Sequence, residues 1–485
     1  MIDSGVGAGI VSIITESLYD NPIVIFREYV QNSVDSIYKT EQKENREIRI
    51  WDNADNLFFL DNGMGIPEDS FKNEMIKIGD SQKRKQKNLG YKGIGRLSGV
   101  PYCQELMFVN ICDYSKKHIQ LYTINGVEFE KIKREENKKS LSFLELMESI
   151  GKYEEGECNR FPLVYEILYN KYSNLFKQIN TGFLVILKRI SGVLKNTIND
   201  KSFETNLEWL LPVDFDEELY SSSSSTNQLF KDLTDNSDER SPVKSCNIFY
   251  NDKQLFRPIK ENMLRDYVCK SNFNNYAVGF HSFRRDRIQI ENNDFSGIRI
   301  YIDNMLLCNE NELLQALDHY GLLSHTINGL IQSVRGIGAM IYITDKLSIS
   351  ANARRTFIEV TDADSIGFLQ LIAEFVNTIY DARYALSDYI SFKLKSSDET
   401  EKLNKLRKRA LDCLYKLAKE NIELPSLEEE TLNDESVSIL DKKKALKRKI
   451  TREMNGKIKS YLETVNDYNI EKAFEHFLNW LNDNK

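Results

Sequence analysis

Residues 22–39 read PIVIFREYVQNSVDSIYK, and this stretch predicts the helix around which the chain is organised. Glu28, Asn32 and Asp35 stand at i, i+4 and i+7, so at 3.6 residues per turn they share one stripe of that helix. The broadly opposite side carries apolar side chains, namely Ile23, Phe26, Val30, Val34 and Ile37. Asn21 suits the N-cap and Pro22 the first helical position. Such a stripe alone is typical of any amphipathic helix with a solvated face.

A predicted hairpin delivers the second motif. Residues 47–60 read EIRIWDNADNLFFL, which predicts a strand over 47–51, a turn over 52–56 and a buried strand over 57–60. The second strand ends at Asp61 and runs into Asn62-Gly63-Met64-Gly65. This pattern holds one carboxylate rigidly and puts glycines where another molecule can approach the backbone. A tight turn with a solvated aspartate is the alternative that this motif leaves open.

A glycine-rich loop is the third motif. Residues 88–99 read NLGYKGIGRLSG, with many free backbone amides that can cradle phosphates. No Gly-Lys-Ser/Thr follows, and a Lys-rich stretch precedes the loop instead of a buried strand. The loop is therefore neither a P-loop nor a dinucleotide-binding fingerprint.

The order of the three motifs within seventy residues resembles the ATP-binding domain of the GHKL superfamily, which includes DNA gyrase B, the heat shock protein 90 chaperones, histidine kinases and MutL. The resemblance covers residues 1–215. It implies the fold class α/β (α+β): an N-terminal Bergerat-type ATP-binding α/β sandwich, then a β-rich middle or transducer-like α+β domain, then a helical C-terminal segment. The ATP-binding domain is expected at 1–215, a flexible connection at 216–245 and the middle domain at 246–390. The helical region is expected at 391–485, where it could serve dimerisation or partner binding.

The resemblance also implies roles for particular residues. Glu28 matches the general base that activates water, and Asn32 the ligand of Mg²⁺, a hard cation that suits such an oxygen site. Asp61 matches the carboxylate that accepts a hydrogen bond from the adenine amino group. The wider set implied to bind ATP is Asn32, Asp35, Asp61, Gly63, Gly65, Ser81, Gly90, Lys92, Gly93, Gly95 and Thr181. Among these, Thr181 precedes Gly182, the reverse of the Gly-Thr order in relatives, so an ordinary strand start remains open.

In relatives a basic residue of the second domain reaches the γ-phosphate. Arg354 and Arg355, in ISANARRTFIE, are the candidates for this catalytic role, with Arg335 as a weaker one. Arginines on the surface at a helix start are the alternative. Glu28 favours hydrolysis, because histidine kinases do not use a water-activating glutamate at this position. Histidine kinases also need a phosphoacceptor histidine, and none of the five histidines precedes the ATPase motifs.

Composition bounds the remaining classes. The 485 residues are 41% hydrophobic and 28% charged, as in ordinary globular proteins, with a net charge of −8. The seven cysteines are dispersed and form no C-x-x-C pair, which predicts reduced thiols in a cytoplasmic protein. We expect neither a signal peptide nor a membrane span.

Three functions follow from the resemblance. The first is a Mg²⁺-dependent ATPase switch of the heat shock protein 90-like class, closing a homodimer on ATP and acting on a protein client or partner subunit. The second is a nucleic-acid-associated ATPase resembling MORC, MutL or topoisomerase subunits, with a role in anti-phage defence open, and with the basic run 442–449 as the nucleic-acid contact. A solvated helix face is the alternative for that run. The third, an ATP-binding scaffold without hydrolysis, is disfavoured by Glu28.

Overall fold

The computed structural model describes residues 21–40, 46–76, 95–134, 142–176, 179–221, 224–234, 243, 245–284, 288, 294–344, 350–351, 358–359, 363–393 and 401–418. The chain divides into two compact units, Met1–Glu423 and Leu424–Lys485, and every described residue belongs to the first. The basic run 442–449 lies outside the described residues. In the ranges given, no helix combines the length and the apolar character needed to cross a bilayer.

The first part of the chain alternates helices with strands. The elements are α1 (Ile23–Ile37), β1 (Glu47–Asn53), β2 (Asn56–Asp61), α2 (Phe71–Ile76), β3 (Cys103–Asp113), β4 (His118–Asn125), α3 (Gly126–Arg134), α4 (Phe143–Ile150), β5 (Gly151–Glu157), α5 (Pro162–Tyr165), β6 (Gly182–Ile190), α6 (Gly192–Ile198), α7 (Phe203–Leu210), α8 (Glu217–Ser221), α9 (Ser224–Thr234), β7 (Asn247–Tyr250) and β8 (Lys253–Gln254). A 3₁₀ helix, Gly95–Tyr102, precedes β3.

Among the described residues, eight strands form the first sheet in the order β5-β4-β3-β6-β2-β1-β7-β8. Within this sheet, β1 and β7 pair in parallel, and the other neighbouring described strands pair antiparallel. Successive side chains of β2 enter two different cores, Leu57 and Phe59 one, and Phe58 and Leu60 the other. Burial on both faces explains why this strand is a continuous apolar run.

Helix α1 covers one face of that sheet. Phe26 packs edge-on against Phe59 with ring centroids 5.3 Å apart, and Tyr29 meets the same ring at 5.1 Å. Asn21 Oδ1 accepts from the amide of Ile23 at 3.1 Å, which is the capping contact that the sequence predicts. Because Phe26 is fully buried, its replacement by alanine would cost about 3–5 kcal/mol. The helix that carries the acidic stripe is therefore fixed to the sheet that carries Asp61.

A second sheet follows. Its strands are β9 (Tyr267–Phe273), β10 (Ala277–Phe283), β11 (Gly297–Ile302), β12 (Met305–Cys308) and β13 (Gly338–Ile343), in the order β12-β11-β13-β10-β9. Helices α10 (Glu310–His319) and α11 (Ile327–Val334) lie between β12 and β13 in the chain. A small pair, β14 (Ser350–Ala351) and β15 (Ile358–Glu359), precedes the long helices α12 (Ala363–Lys393) and α13 (Glu401–Ala418). Phe375 of α12 packs on Phe273 at 5.5 Å, which fixes this helix to β9.

The structure differs from the sequence-based expectation at two places. Residues 217–234, expected to be flexible, carry α8 and α9, because Leu219, Phe230 and Leu233 bury their side chains in a core with the second sheet. The hairpin β7–β8, assigned to the second domain, joins the first sheet through β1. The domain limits at 215, 245 and 390 themselves stay predictions.

The helical segment that precedes β6 is irregular. An α turn at Pro162–Tyr165 continues as a π-helix over Glu166–Lys171 and then as a 3₁₀ turn over Ser173–Phe176. The widened turns accompany a stack in which Tyr169 meets Tyr114 at 4.5 Å and Tyr165 at 5.0 Å. Aromatic packing on the second face of the sheet thus accompanies the irregular helix at this point.

Candidate functional site

The polar stripe of α1 lies half-exposed above the sheet. Glu28, Asn32 and Asp35 are all partly buried, while Phe26, Val30 and other apolar residues of the same helix are buried. The structure therefore orients the helix as its periodicity predicts. One face is fixed in the core, and Glu28, Asn32 and Asp35 lie on the partly exposed side of the helix.

Asp61 ends β2 as a carboxylate with 2% of its surface exposed. One carboxylate oxygen accepts from the amide of Gly63 at 2.9 Å, and the hydroxyl of Ser33 on α1 also donates to the carboxylate. Burial raises the pKa of Asp61 to about 7, although both of these hydrogen bonds act in the opposite direction. The solvated turn left open by the sequence is therefore excluded for this aspartate.

The loop Asp61–Gly65 is held by three other elements. Ser36 of α1 accepts from the amide of Gly65 at 3.1 Å, and Thr181 Oγ1 donates to the carbonyl of Gly63 at 2.9 Å. Asn110 of β3 accepts from the amide of Ile66 at 2.9 Å and donates to its carbonyl at 2.7 Å. Thr181 therefore lies beside the loop, as the resemblance implies for it, and positions the backbone there.

Both glycines of the loop are required by close approach. A Cβ at Gly63 would lie 2.4 Å from Ser36 Oγ and 2.9 Å from Asp61 Oδ1. Gly65 adopts φ +66°, which glycine tolerates best, and a Cβ there would lie 2.7 Å from Asn110 Oδ1. The sequence assigned both glycines to nucleotide access, and the structure shows that the local packing needs them too.

The glycine-rich segment enters the described residues at Gly95. A Cβ at this position would lie 2.0 Å from Glu28 Oε2, so the Gly95 backbone rests directly on the Glu28 carboxylate. The next turn is fixed by Tyr29, whose hydroxyl donates to the carbonyl of Arg96 at 3.0 Å and accepts from the amide of Gly99 at 3.0 Å. Two motifs that are 67 residues apart thus meet at one carboxylate.

Several predicted site residues lie outside the described residues. They are Ser81, Gly90, Lys92, Gly93, Arg354 and Arg355. Arg335 is described, and its Nε pairs with Glu310 Oε1 at 2.9 Å, within the layer of α10 and α11. The residues that the structure brings together are therefore Glu28, Asn32, Asp35, Asp61, Gly63, Gly65, Gly95 and Thr181.

Sequence reasoning missed the residues that hold the Asp61 loop. Ser33 and Ser36 flank Asp35 on α1, and Asn110 is completely buried in β3. A signal was present for Asn110, because an asparagine within the apolar run LMFVNIC demands buried partners. No comparable signal distinguishes Ser33 and Ser36 from ordinary serines of a helix.

Comparison with known proteins agrees with this arrangement. Residues 22–156 match the family model described as histidine kinase-, DNA gyrase B-, and HSP90-like ATPase. No functionally curated protein matches the chain. Two solved structures of the ATPase region of Saccharomyces cerevisiae topoisomerase II, one of them bound to ICRF-187 (dexrazoxane), are each 10% identical to it. They cover 73% and 72% of this chain and 83% and 82% of their own, with TM-scores of 0.37 and 0.36.

The matched segment begins at Pro22 and contains α1, the Asp61 loop and the glycine-rich segment. Residues 22–156 thus match the GHKL type of ATPase domain, and this part of the prediction is confirmed. The likeness of this domain to the heat shock protein 90-like or MORC-like subtype stays a prediction.

Proposed function

We propose that the chain binds ATP with Mg²⁺ and hydrolyses it to ADP and phosphate. The observation that supports this most is the contact between Gly95 and Glu28 on the helix whose Ser33 and Ser36 hold the Asp61 loop. One half-exposed helix face thereby connects a buried carboxylate, a second accessible carboxylate and a glycine-rich backbone. This is the combination that an adenine nucleotide requires at its base and at its phosphates.

Asp61 is proposed to recognise the adenine base. Its carboxylate is buried, so an amino group that donates to it gains a hydrogen bond without competition from water. Guanine presents an acceptor where adenine has its amino group, so the same carboxylate disfavours it. Thr181 and Asn110 hold the loop in place, and Gly63 and Gly65 leave its backbone open to the ligand.

The half-exposed side of α1 is proposed to serve the phosphates. Asn32 offers a side-chain oxygen of the kind that Mg²⁺ accepts, and the ion would neutralise phosphate charge when bound. Glu28 orients the attacking water and takes its proton. Gly95 and the segment Gly90–Gly93 supply amides, and Lys92 supplies a positive charge. Arg354 and Arg355 stay candidates for the contribution of the second sheet to phosphate binding. The chemistry is positioning and charge stabilisation.

Glu28→Gln tests the hydrolysis. The substitution keeps the size of the side chain and removes the base, so we expect turnover to fall by about 100-fold or more while ATP analogue binding persists. Steady-state phosphate release and equilibrium binding measure the two quantities. Glu130→Gln, on helix α3 outside the three motifs, is the control and should leave both unchanged. Unchanged turnover in Glu28→Gln would reject the assignment of the base.

We further propose that ATP drives closure of a homodimer that acts on a protein partner. All seven cysteines are free thiols, which suits the reducing cytoplasm in which we propose that it works. Mass measurement with a non-hydrolysable ATP analogue should show twice the monomer mass, and Asp61→Asn should prevent the change. ATP turnover measured with and without DNA separates this proposal from a nucleic-acid-associated ATPase. Stimulation that disappears when the basic run 442–449 is neutralised would favour the latter.

A further inference from the structure

A cluster of side chains of the types that bind metals includes none of the residues of α1. Its members are Glu68, Cys112, His118 and Glu155. Cys112 is the residue at which the register of β3 and β4 shifts, and His118 begins β4. Glu155 lies on β5 opposite Gln120, two residues along from His118. The β-bulge at Cys112 re-aims its side chain toward the other three.

The distances resemble those between ligands of one cation. His118 Nε2 lies 3.1 Å from Glu68 Oε1 and 3.4 Å from Glu155 Oε1. The ligand atoms of Cys112, His118 and Glu68 all lie within 4.8 Å of one another. Zinc bonds of about 2.0–2.3 Å place tetrahedral ligands roughly 3.3–3.7 Å apart, so the two separations between His118 and the carboxylates already suit one ion. The ligand atoms of Cys112, His118 and Glu68 need to approach one another by at most about 1.5 Å.

Charge also favours a cation at this point. Two carboxylates converge on the same imidazole nitrogen, which carries at most one hydrogen and can donate it well to only one of them. Lys116 pairs with Asp113 at 3.0 Å and acts more weakly on Glu68, and Lys117 lies over the Tyr165 ring. A divalent cation would neutralise both carboxylates at once.

Hydrogen bonds already orient the ligands from behind. Asn110 Nδ2 donates toward Cys112 Sγ at 3.5 Å, and the Cys112 thiol donates to Gln120 Oε1 at 3.4 Å. Tyr153 donates to Glu155 Oε2 at 2.5 Å, and Gln120 Nε2 holds the backbone carbonyl of Glu68 at 2.9 Å. Partners of this kind fix the ligands of protein metal sites.

We propose that Cys112, His118, Glu68 and Glu155 bind one zinc ion or a cation of similar preference. The thiol gives up its proton on binding, and neutral His118 coordinates through Nε2. Sulfur and imidazole ligands select zinc over Mg²⁺, so the site is separate from the oxygen donors of α1. Glu68 follows Gly65 and Ile66 in the same loop, so the cation ties the Asp61 loop to β3, β4 and β5.

Cobalt substitution tests the site on the full chain after treatment with a chelator. Co²⁺ should bind with one equivalent per chain and give a thiolate-to-cobalt absorption band in the near ultraviolet. Zinc should displace it. Cys112→Ser should lose the band, and Glu68→Gln should weaken binding by about tenfold or more. Cys413→Ser is the matched control, because Cys413 is the other cysteine that is not fully buried.

Hydrogen exchange gives a second readout that does not depend on ATP turnover. Zinc should slow exchange of the amides between Gly65 and Phe71 in the wild type and leave it unchanged in Cys112→Ser. Cobalt binding without a thiolate band, or a band that persists in Cys112→Ser, would overturn the proposal. So would weak binding that is equal in the wild type and both cluster variants. The side chain of Glu68 is exposed, so Glu68→Gln should fold normally and can test the site even if Cys112→Ser does not fold.

Discussion

Burial of Asp61 lowers the stability of the fold. An aspartate that is 2% exposed loses most of its hydration, and two hydrogen bonds from the chain offset only part of that loss. Its pKa of about 7 lies above the ordinary value of 3.8, so the folded state holds a proton there that the unfolded chain releases. Folding stability and ligand recognition therefore make opposite demands on one carboxylate.

The first prediction follows from that pKa. Because the folded protein binds more protons than the unfolded chain between pH 3.8 and about 7, stability falls as pH rises through this window. The shift corresponds to at most about 4 kcal/mol. Asp61→Asn removes the charge, so at pH 8 we expect it to be more stable than the wild type by about 1–3 kcal/mol. The difference should be smaller at pH 5, because the folded carboxylate is protonated there, and should vanish only below about pH 3.8. Urea midpoints at both values measure it.

Asp61→Asn should also bind ATP analogues far more weakly, because the asparagine amide is a poorer hydrogen-bond acceptor for the adenine amino group than the carboxylate. Gain of stability together with loss of binding is the expected pair of results. Asp69→Asn, on the exposed loop that follows, is the control and should change neither quantity. A variant that is destabilised equally at pH 5 and pH 8 would contradict the assignment of the burial cost.

The second prediction concerns Gly95. An alanine Cβ would lie 2.0 Å from Glu28 Oε2, and this oxygen is the end of a flexible side chain that can move away. We therefore expect Gly95→Ala to change stability by less than about 1 kcal/mol. A displacement near 1 Å can cost about 100-fold in rate, so turnover should fall by that order.

Gly192→Ala is the matched control for Gly95→Ala. A Cβ at Gly192 meets nothing within 4 Å, so this variant should be stabilised slightly or unchanged, with normal turnover. Thermal melting and phosphate release measure both variants. If Gly95→Ala turns over ATP normally, the carboxylate of Glu28 either is not displaced or is not needed.

The side chains proposed to act on the nucleotide could be identified from the sequence. The side chains that hold the Asp61 loop in place could not. Glu28, Asn32 and Asp61 stand out because acidic and amide groups recur at fixed spacing next to glycines. Ser36 and Asn110 act through single hydrogen bonds to the Asp61 loop. A bond between residues 44 apart leaves no periodic trace, so only the folded chain reveals it.

Among the secondary-structure elements, those with strong apolar patterns were predictable. Strands β2 and β6 are runs buried on two faces, and α12 is long and amphipathic. The helices α8 and α9 were missed because their serine-rich sequence resembles a linker. Leu219, Phe230 and Leu233 nevertheless bury against the second sheet. Their tertiary partners, and not their local composition, decide the structure.

A buried arginine joins elements of both sheets. Arg257 is 1% exposed, and its guanidinium donates to the carbonyls of Glu208 and Trp209 at 2.8 and 2.7 Å. It also donates to Asn304 Oδ1 at 2.8 Å, in the turn between β11 and β12, and lies 4.7 Å from the centre of the Tyr301 ring. The end of α7 is thereby fixed to the second sheet by a positive charge at its C-terminus.

The third prediction is that Arg257→Met destabilises the protein by about 3 kcal/mol or more, because several buried acceptors lose their donor at once. Arg335→Met is the control. Its side chain is 41% exposed and makes one ion pair, so the loss should stay below about 1 kcal/mol. Urea denaturation measures the difference. Equal effects of the two substitutions would show that the Arg257 contacts contribute little.

Within the molecule as a whole, helix α1 contacts the second sheet directly. Arg27 stands next to Glu28 on α1, and its Nη2 donates to the carbonyl of Leu306 in β12 at 3.0 Å. Its charge also lowers the pKa of Glu312 on α10, although burial outweighs it and leaves that pKa raised. The position of the proposed base therefore depends on a contact that no motif of the first domain contains.

The fourth prediction tests that dependence. Arg27→Met keeps the aliphatic stem and removes the donor, so α1 loses a charged hydrogen bond of about 1.5–3 kcal/mol. Since Asp61 is fixed by other contacts, the affinity for an ATP analogue should stay within about twofold. Turnover should fall by about tenfold, because a small displacement of Glu28 weakens general-base catalysis. Phosphate release and equilibrium binding separate the two effects.

Arg49→Met is the matched control. Arg49 lies on β1 and pairs with Glu47 of the same strand and with Asp252 in the β7–β8 turn, and its guanidinium lies 3.6 Å from the centre of the Phe249 ring. We expect it to lower stability by a similar amount with normal turnover per folded molecule. If Arg27→Met also left turnover normal, the contact with Leu306 would be structural only. If it weakened nucleotide binding and turnover equally, α1 would position the adenine site and the base together, because Ser33 and Ser36 of the same helix hold the Asp61 loop.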